Sequence, residues 1–355
     1  MTGTLAGYLR RRVAVHTLLL TGFFIALMQV LELMDMTTDV LDRGLGVEGL
    51  AYYAVMRAPS QIVVALPLAA LLGAMWAFHD LARNHEMVAI RTAGVNLKQI
   101  VTYLLPVPLV VAMAYVVLSQ GVVPDAEAAL QSWSVATAPR DDSPQPSWIR
   151  TSAGPVSYLA ASPDGERLTD VRIYVLGEDK LLSERISAQT ARWQQGAWHL
   201  EGVQRLRTPD KQAPHADEIT RTWHTNLRPD DVRRADIARP KLSSIMLIDL
   251  IGGDRAASQP LSYYQTALFR SFVAPLAPFI MLLLALPAAR GLPRRSDGGG
   301  ALLLVLGLGL AFLLCDGFMG ALGTSGRVPA AVAALAAPLL FSAIGLLQLH
   351  FSEGR

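Results

Sequence analysis

Residues 59–79, PSQIVVALPLAALLGAMWAFH, contain no Asp, Glu, Lys or Arg. The hydrocarbon core of a bilayer is about 30 Å thick and takes roughly 20 apolar residues of helix to cross, so this stretch reads as a membrane span. Five more of the same kind lie around it. On the N-terminal side is 13–33, VAVHTLLLTGFFIALMQVLEL, with Arg10, Arg11 and Arg12 immediately before it. On the C-terminal side is 99–120, QIVTYLLPVPLVVAMAYVVLSQ, and then, beyond a polar stretch, 262–289, 300–319 and 328–350. Pro67, Pro106, Pro108, Pro275, Pro278 and Pro338 fall inside these spans. Neighbouring helices can satisfy the backbone groups that proline frees in a membrane, so kinked helices in a bundle are expected. The first span is longer than the apolar core of a signal peptide and no A-x-A-type site follows it, so it reads as a retained anchor.

Composition agrees with that reading. Of the 355 residues, 52% are hydrophobic and 17% charged, more apolar than an ordinary soluble chain. The apolar residues gather in two blocks, roughly 13–120 and 262–350. A net charge of +2 is too small to argue for nucleic acid. The single cysteine, Cys315, lies in an apolar run, so no intrachain disulfide can form and any folded domain outside the membrane is held by packing.

Short loops set the orientation. From a cytoplasmic start, the inner side carries Arg10–Arg12, Arg83, Arg91, Lys98, Arg290, Arg294, Arg295 and Arg355, whereas the short outer loops hold only Arg43, Arg57 and Arg327. The positive-inside rule therefore places both termini in the cytoplasm and residues 121–260 outside.

Between 121 and 260 the pattern changes to short alternating stretches: 147–152, 155–161, 168–177, 181–194, 197–208 and 218–226. Turn signals such as Pro163-Asp164-Gly165, Gly177-Glu178-Asp179 and Gln195-Gly196 separate them. Period-two patterning at this spacing predicts a small antiparallel sandwich or roll. Its core face is expected to use Ile173, Val175, Leu182, Ile186, Trp193, Trp198 and Leu200, the aromatics serving as core rather than as a ligand platform. Residues 241–256, KLSSIMLIDLIGGDRA, read as a short amphipathic helix leading back to the membrane.

Catalytic signatures do not rise above background. There is no G-x-x-x-x-G-K-[ST] loop, so ATP hydrolysis by that route is excluded. Gly298-Gly299-Gly300 lacks the lysine and reads as a loop that lets a helix start. Gly323-Thr324-Ser325-Gly326 has the wrong spacing for a nucleophile elbow. The seven histidines show no metal-ligand spacing, and no metal is expected.

The inner segment 80–94, DLARNHEMVAIRTAG, has helical spacing. Leu81, Met87, Ile90 and Leu97 can share one face, with Arg83, Glu86 and Arg91 toward the cytoplasm and Gly94 ending the helix at C′. From these residues alone, two readings stand: a helix lying across two spans that takes force from a soluble partner, or a solvated loop bearing positive-inside charge.

At this segment the chain resembles the permeases of the lipopolysaccharide export system, the LptF/LptG family, and its LptG side in particular. The likeness runs from Pro59 through LPLAALLGAMWAFHDLARNHEMVAIRTAGVN (66–96), resumes at WHTNL (223–227), and again at LLCDGFMG (313–320) with Pro329. The order of three helices, outer domain and three helices covers essentially the whole chain. The resemblance implies a membrane α-helical bundle of six transmembrane helices plus a periplasmic antiparallel β-jellyroll, an α+β chain divided as 1–120, 121–260 and 261–355. It implies a heterodimer with an LptF-like permease, an LptB-like ATPase dimer, an LptC-like periplasmic bridge protein, and lipopolysaccharide as cargo. It also implies that the chain itself holds no cofactor, ATP and Mg being bound by the partner ATPase. The 80–94 segment matches the family's coupling helix, with Glu86 at its acidic position. Glu86 is thus expected to engage the ATPase groove, supported by Arg83, Met87 and Arg91.

The first and fifth spans match those that line the family's substrate cavity and lateral gates. Near the outer end of the first, Glu32, Asp35 and Asp39 form an acidic cluster where some members carry lysines. Phosphate contact then falls to Arg43, Arg57 or the partner chain, or the lipid A has fewer phosphates. Asp316, near the outer end of the fifth span, is either a functional membrane acid or an interfacial residue bonded to its neighbours. The outer domain is expected to share an edge strand with the bridge. A transmission permease, regulating a periplasmic enzyme without moving lipid, would share the coupling helix but needs no amphiphile-sized cavity. A receptor or scaffold would need a cytoplasmic effector domain, for which the inner loops are too short.

Overall fold

The computed structural model describes residues 2–137, 146–162, 164–176, 182–207, 215–235, 242–289 and 298–351. In chain order the first helices are α1 (Thr2–Asp42), α2 (Gly46–Arg83), α3 (Glu86–Thr92), α4 (Leu97–Leu104), α5 (Pro106–Val117) and α6 (Val123–Thr137). The strands follow: β1 (Ser147–Thr151), β2 (Gly154–Tyr158), β3 (Ala160–Ala161), β4 (Arg167–Leu176), β5 (Leu182–Gln194), β6 (Ala197–Arg207) and β7 (His215–Trp223). The chain then forms α7 (Pro229–Ala235), α8 (Ser244–Gly252), α9 (Leu261–Val273), α10 (Ala277–Leu284), α11 (Gly298–Thr324) and α12 (Ala330–Phe351). Two units result, Met1–Ala126 with Gln265–Arg355, and Glu127–Tyr264.

Six helical stretches among the described residues are long and apolar enough to cross a membrane: Gly3–Asp42, Gly46–Arg83, Leu97–Ser134, Leu261–Ala289, Leu302–Thr324 and Ala330–Phe351. The first is one proline-free helix, α1, of 41 residues, roughly 60 Å at 1.5 Å per residue. The third and fourth are broken where proline removes a backbone donor. Pro106 opens α5 directly after α4, and Pro275 lies in a 3₁₀ turn, Ala274–Leu276, between α9 and α10. Pro59 and Pro67 stay inside α2, as Pro338 does inside α12. The helical core is built from Leu71, Phe78, Leu81, Ile100, Leu104, Met281 and Leu284. Helices α1 and α2 meet at Gly73, where a Cβ would lie 2.6 Å from the backbone nitrogen of Thr17. Small residues at such crossings let membrane helices approach closely.

The second unit carries one antiparallel sheet, ordered β1-β2-β4-β5-β6-β7 with β3 also paired to β4. The strands are a meander, each hairpin feeding the next. Its inward face changes phase at one level: Leu168 and Val171, Ala188 and Ala191, and Leu200 and Val203 are all buried although three residues apart. Strict alternation forbids that spacing. The break coincides with positive φ at Asp170 (48°) in β4 and at Gly202 (70°) in β6, so the sheet coils there and wraps its buried face. Ile173, Ile186, Trp198 and Leu200 fill this core, and Val175 and Trp193 pack against it. Leu182 does not join them and is 41% exposed. It pairs with Leu176 beyond a one-residue register shift after Val175, where β5 has run past the core. The Gly177-Glu178-Asp179 turn lies outside the described residues.

The WHTNL stretch closes this sheet. Trp223 pairs with Trp198 across β6 and β7. Leu227 is fully buried, and its carbonyl accepts the Trp198 indole N–H at 3.0 Å. Asn226 accepts from the Ser152 N–H at 3.1 Å and donates to the Gly253 carbonyl at 3.0 Å. Helix α8 differs from the amphipathic helix expected for 241–256. It buries Leu247 and Leu250, yet its other side exposes Ile245 and Ile248 beside the carboxylate of Asp249.

Candidate functional site

Helix α2 runs on to Arg83, so the 80–94 segment is not one helix. The chain turns at Asn84 and His85, the latter at φ 58°, and restarts as the seven-residue α3. Gly94, at φ 84°, ends α3 as expected. Its N–H bonds the Arg91 carbonyl, and the Val95 N–H bonds the Ile90 carbonyl, a Schellman closure that glycine favours. Leu81, Met87, Ile90 and Leu97 all point into the helical core. Met87 is therefore buried, 2% exposed, and its side chain is not a surface contact. Arg83, Val88 and Arg91 occupy the exposed side.

Glu86 does not project freely. Arg12 Nη1 donates to both of its carboxylate oxygens, at 3.0 and 3.1 Å, and the Tyr8 hydroxyl donates to Oε2 at 2.8 Å. The second terminal nitrogen of Arg12 pairs with Asp80 at 2.6 Å, and Arg10 Nε donates to the Tyr103 carbonyl at 2.6 Å. Tyr8 and Asp80 had no assigned role in the sequence, and Arg12 counted there only toward the orientation. The available signal was the buried stripe Leu9, Val13 and Thr17 on α1, beside which Tyr8 and Arg12 stand one turn apart.

At the other end of α1, Glu32 accepts from Arg57 Nε at 2.8 Å and from the Gln61 side-chain amide. Arg57 lies within α2 rather than in a loop, and its charge is matched by Glu32. Asp35 and Asp39 are exposed on α1, and Arg43 follows at its end, half-buried. The acidic residues are thus not one cluster: Glu32 turns toward α2, while Asp35 and Asp39 face out.

Asp316 sits on α11, and its partner is Arg270 of α9, a residue the sequence reading passed over. Arg270 Nη1 donates to the Asp316 carbonyl at 2.8 Å and Nη2 pairs with the carboxylate. The charges at 290, 294, 295 and 355 lie outside the described residues.

Coverage of the spans is uneven. Within the most apolar window of the first span, 11% of residues are buried, and 17% in the fifth, against 61% in the fourth. Leu18, Phe23 and Met34 on α1, and Leu303, Leu314 and Phe318 on α11, are among the large side chains left exposed.

Six spans, a β domain inserted between two three-helix halves and a short helix folded under the first two spans define a polytopic membrane protein of transporter type. Residues 7–350 match the family described as lipopolysaccharide export system permease LptF/LptG, and the chain belongs to that family. It is 22% identical to the Escherichia coli (strain K12) lipopolysaccharide export system permease protein LptG over 353 residues, 98% of either chain. It is 24% identical to the Haemophilus influenzae protein of the same name over 293 residues, 80% of either chain. The chain is accordingly a multi-pass inner-membrane protein and a non-catalytic permease subunit.

Proposed function

We propose that this chain is the LptG-like permease subunit of an ABC transporter that extracts lipopolysaccharide from the outer leaflet of the inner membrane. It pairs with an LptF-like permease, is driven by a separate LptB-like ATPase dimer that binds ATP and Mg, and passes the lipid to an LptC-like periplasmic bridge. Both termini lie in the cytoplasm and the β domain in the periplasm, as the positive-inside count requires.

The observation that carries this reading is the open apolar face of α1 and α11, set in one chain with the short helix α3. A second permease chain placed against those two faces encloses an apolar chamber suited to acyl chains. Each buried methylene contributes roughly 0.8 kcal/mol, so expelling several chains needs an external energy source. The exposed side of α3, with Arg83, Val88 and Arg91, is where a soluble ATPase would deliver it. Closure of the ATPase dimer then moves α3, narrows the chamber and drives the lipid toward the bridge.

Purifying the tagged chain from its native membranes in mild detergent tests this. Recovery of an ABC ATPase, a second six-span permease and lipopolysaccharide supports the export reading. An ATPase recovered with a periplasmic hydrolase and no lipid would favour signal transmission instead.

A further inference from the structure

We propose that Arg12 is a positioning residue that locks α3 to α1, so that displacement of the ATPase-facing segment becomes movement of the first spanning helix. The inference rests on the permease reading above.

One guanidinium joins three elements here. Arg12 belongs to α1, its Nη2 pairs with Asp80 near the end of α2, and its Nη1 reaches Glu86 at the start of α3. Tyr8, one turn earlier on α1, donates to the same carboxylate and accepts from Arg12 Nη1 at 2.6 Å. Charge-assisted bonds of this kind are stronger than neutral ones and fix geometry as well as proximity. Helix α3 is seven residues long, too short to persist by itself. It is held by the buried side chains of Met87 and Ile90 and by Glu86.

The lever on the other side of the lock is unusually suited to transmit a push. Helix α1 is continuous and free of proline, whereas α2 contains two. Arg12 and Glu32 are separated along α1 by roughly 30 Å of unbroken helix. The spanning part of α1 is also the least covered of the six, and it stays packed on α2 where Gly73 meets Thr17, so a push tilts α1 about that crossing rather than lifting it away. A stroke on α3 therefore reaches the apolar face of α1 through Arg12, while Asp80 keeps Arg12 paired if a partner cation draws on Glu86.

The test uses the assembled complex in lipid nanodiscs, measuring ATP hydrolysis, lipopolysaccharide released per ATP, and the spacing of spin labels at Met34 on α1 and Val332 on α12. In the parent complex the label spacing is expected to change on nucleotide trapping. Arg12→Gln is expected to lower release per ATP about tenfold, within the usual range of coupling between sites, and to abolish the label movement. Arg12→Lys, which keeps the charge, should restore part of both. Should Arg12→Gln fail to assemble, Tyr8→Phe removes one hydroxyl only and is expected to lower release per ATP by a smaller factor. Unchanged release per ATP with unchanged label movement in Arg12→Gln or, where that variant does not assemble, in Tyr8→Phe would overturn the inference. Absence of any ATPase from the parent complex is a different outcome: it removes the permease reading, and this inference with it.

Discussion

The guanidinium of Arg270 occupies the space a side chain at Gly320 would need: a Cβ there would lie 2.1 Å from Nη1. Glycine on α11 is thus what allows Arg270 to reach both the carbonyl and the carboxylate of Asp316. Gly320→Ala is expected to push the guanidinium off Asp316. Arg270→Ala should destabilise the detergent-solubilised protein by about 2 kcal/mol, the scale of a lost bond to a charged group, since Asp316 is left unmatched. The double variant Arg270→Ala/Asp316→Ala should recover part of that loss. Thermal unfolding of Arg270→Ala and of the double variant checks the order, and a double variant no more stable than Arg270→Ala would show that the unmatched carboxylate is not what costs the stability.

Gly73 is the tightest test of the α1–α2 crossing. Its virtual Cβ meets the Thr17 backbone as well as its hydroxyl, and backbone cannot step aside. Gly73→Val should cost about 1–3 kcal/mol, as overpacking does, whereas Gly22→Ala, with open space around it, should be close to neutral. Unfolding midpoints of both in one detergent decide it.

Glu86→Lys places a cation beside Arg12 and leaves Asp80 as the one carboxylate of the two that still pairs with it. Lipopolysaccharide export in cells is expected to fall while membrane abundance stays at the parent level. Full export in this variant would sink the assignment of α3 as the coupling segment.

Asp164 gives a pH dependence. Its carboxylate accepts from the Ser162 hydroxyl and from the Glu166 N–H, which hold its pKa below the ordinary carboxylate value, the Ser162 bond contributing most. A depressed folded-state pKa stabilises above the ordinary value and is lost as pH falls through the folded one. The stability difference between the parent protein and Asp164→Asn should therefore be present at neutral pH and shrink on acidification through the carboxylate range. A difference that stays constant with pH would mean the ionised form is not what the turn selects.

Trp198→Phe keeps an aromatic ring in the sheet core but strands the Leu227 carbonyl. The expected loss is about 1 kcal/mol, read from denaturant unfolding of the full chain, with Trp193→Phe, whose ring lies partly exposed, as the milder comparison.

The spans were legible because crossing a bilayer is a demand on local composition: four of the six predicted segments fall within an observed helical span, and 300–319 and 328–350 each begin two residues before theirs. The strands were legible for a related reason: alternation is local, and predicted boundaries such as 168–177 and 197–208 fall close to β4 and β6. Leu182 shows the limit, since its side of the strand follows from alternation, but where the core ends depends on the neighbouring strand's register. Glu86 shows it more plainly. Its place on the 80–94 segment was readable, yet its partner lies 74 residues earlier on another helix.

By itself, then, the amino-acid order determined what is local: which stretches are apolar for long enough to span, which alternate, where glycine ends α3, and which side of α3 is apolar. Tertiary structure alone decided which charges meet. Arg12 was one of three adjacent arginines until packing of Leu9 and Val13 turned it toward Glu86 and Asp80. Arg57 became a partner of Glu32 because α2 carries it alongside α1, and Arg270 a partner of Asp316 because Gly320 leaves room. Burial stripes repeat along a helix and can be read in one dimension, but an ion pair between helices depends on their separation, register and rotation, which exist only once the chain has folded.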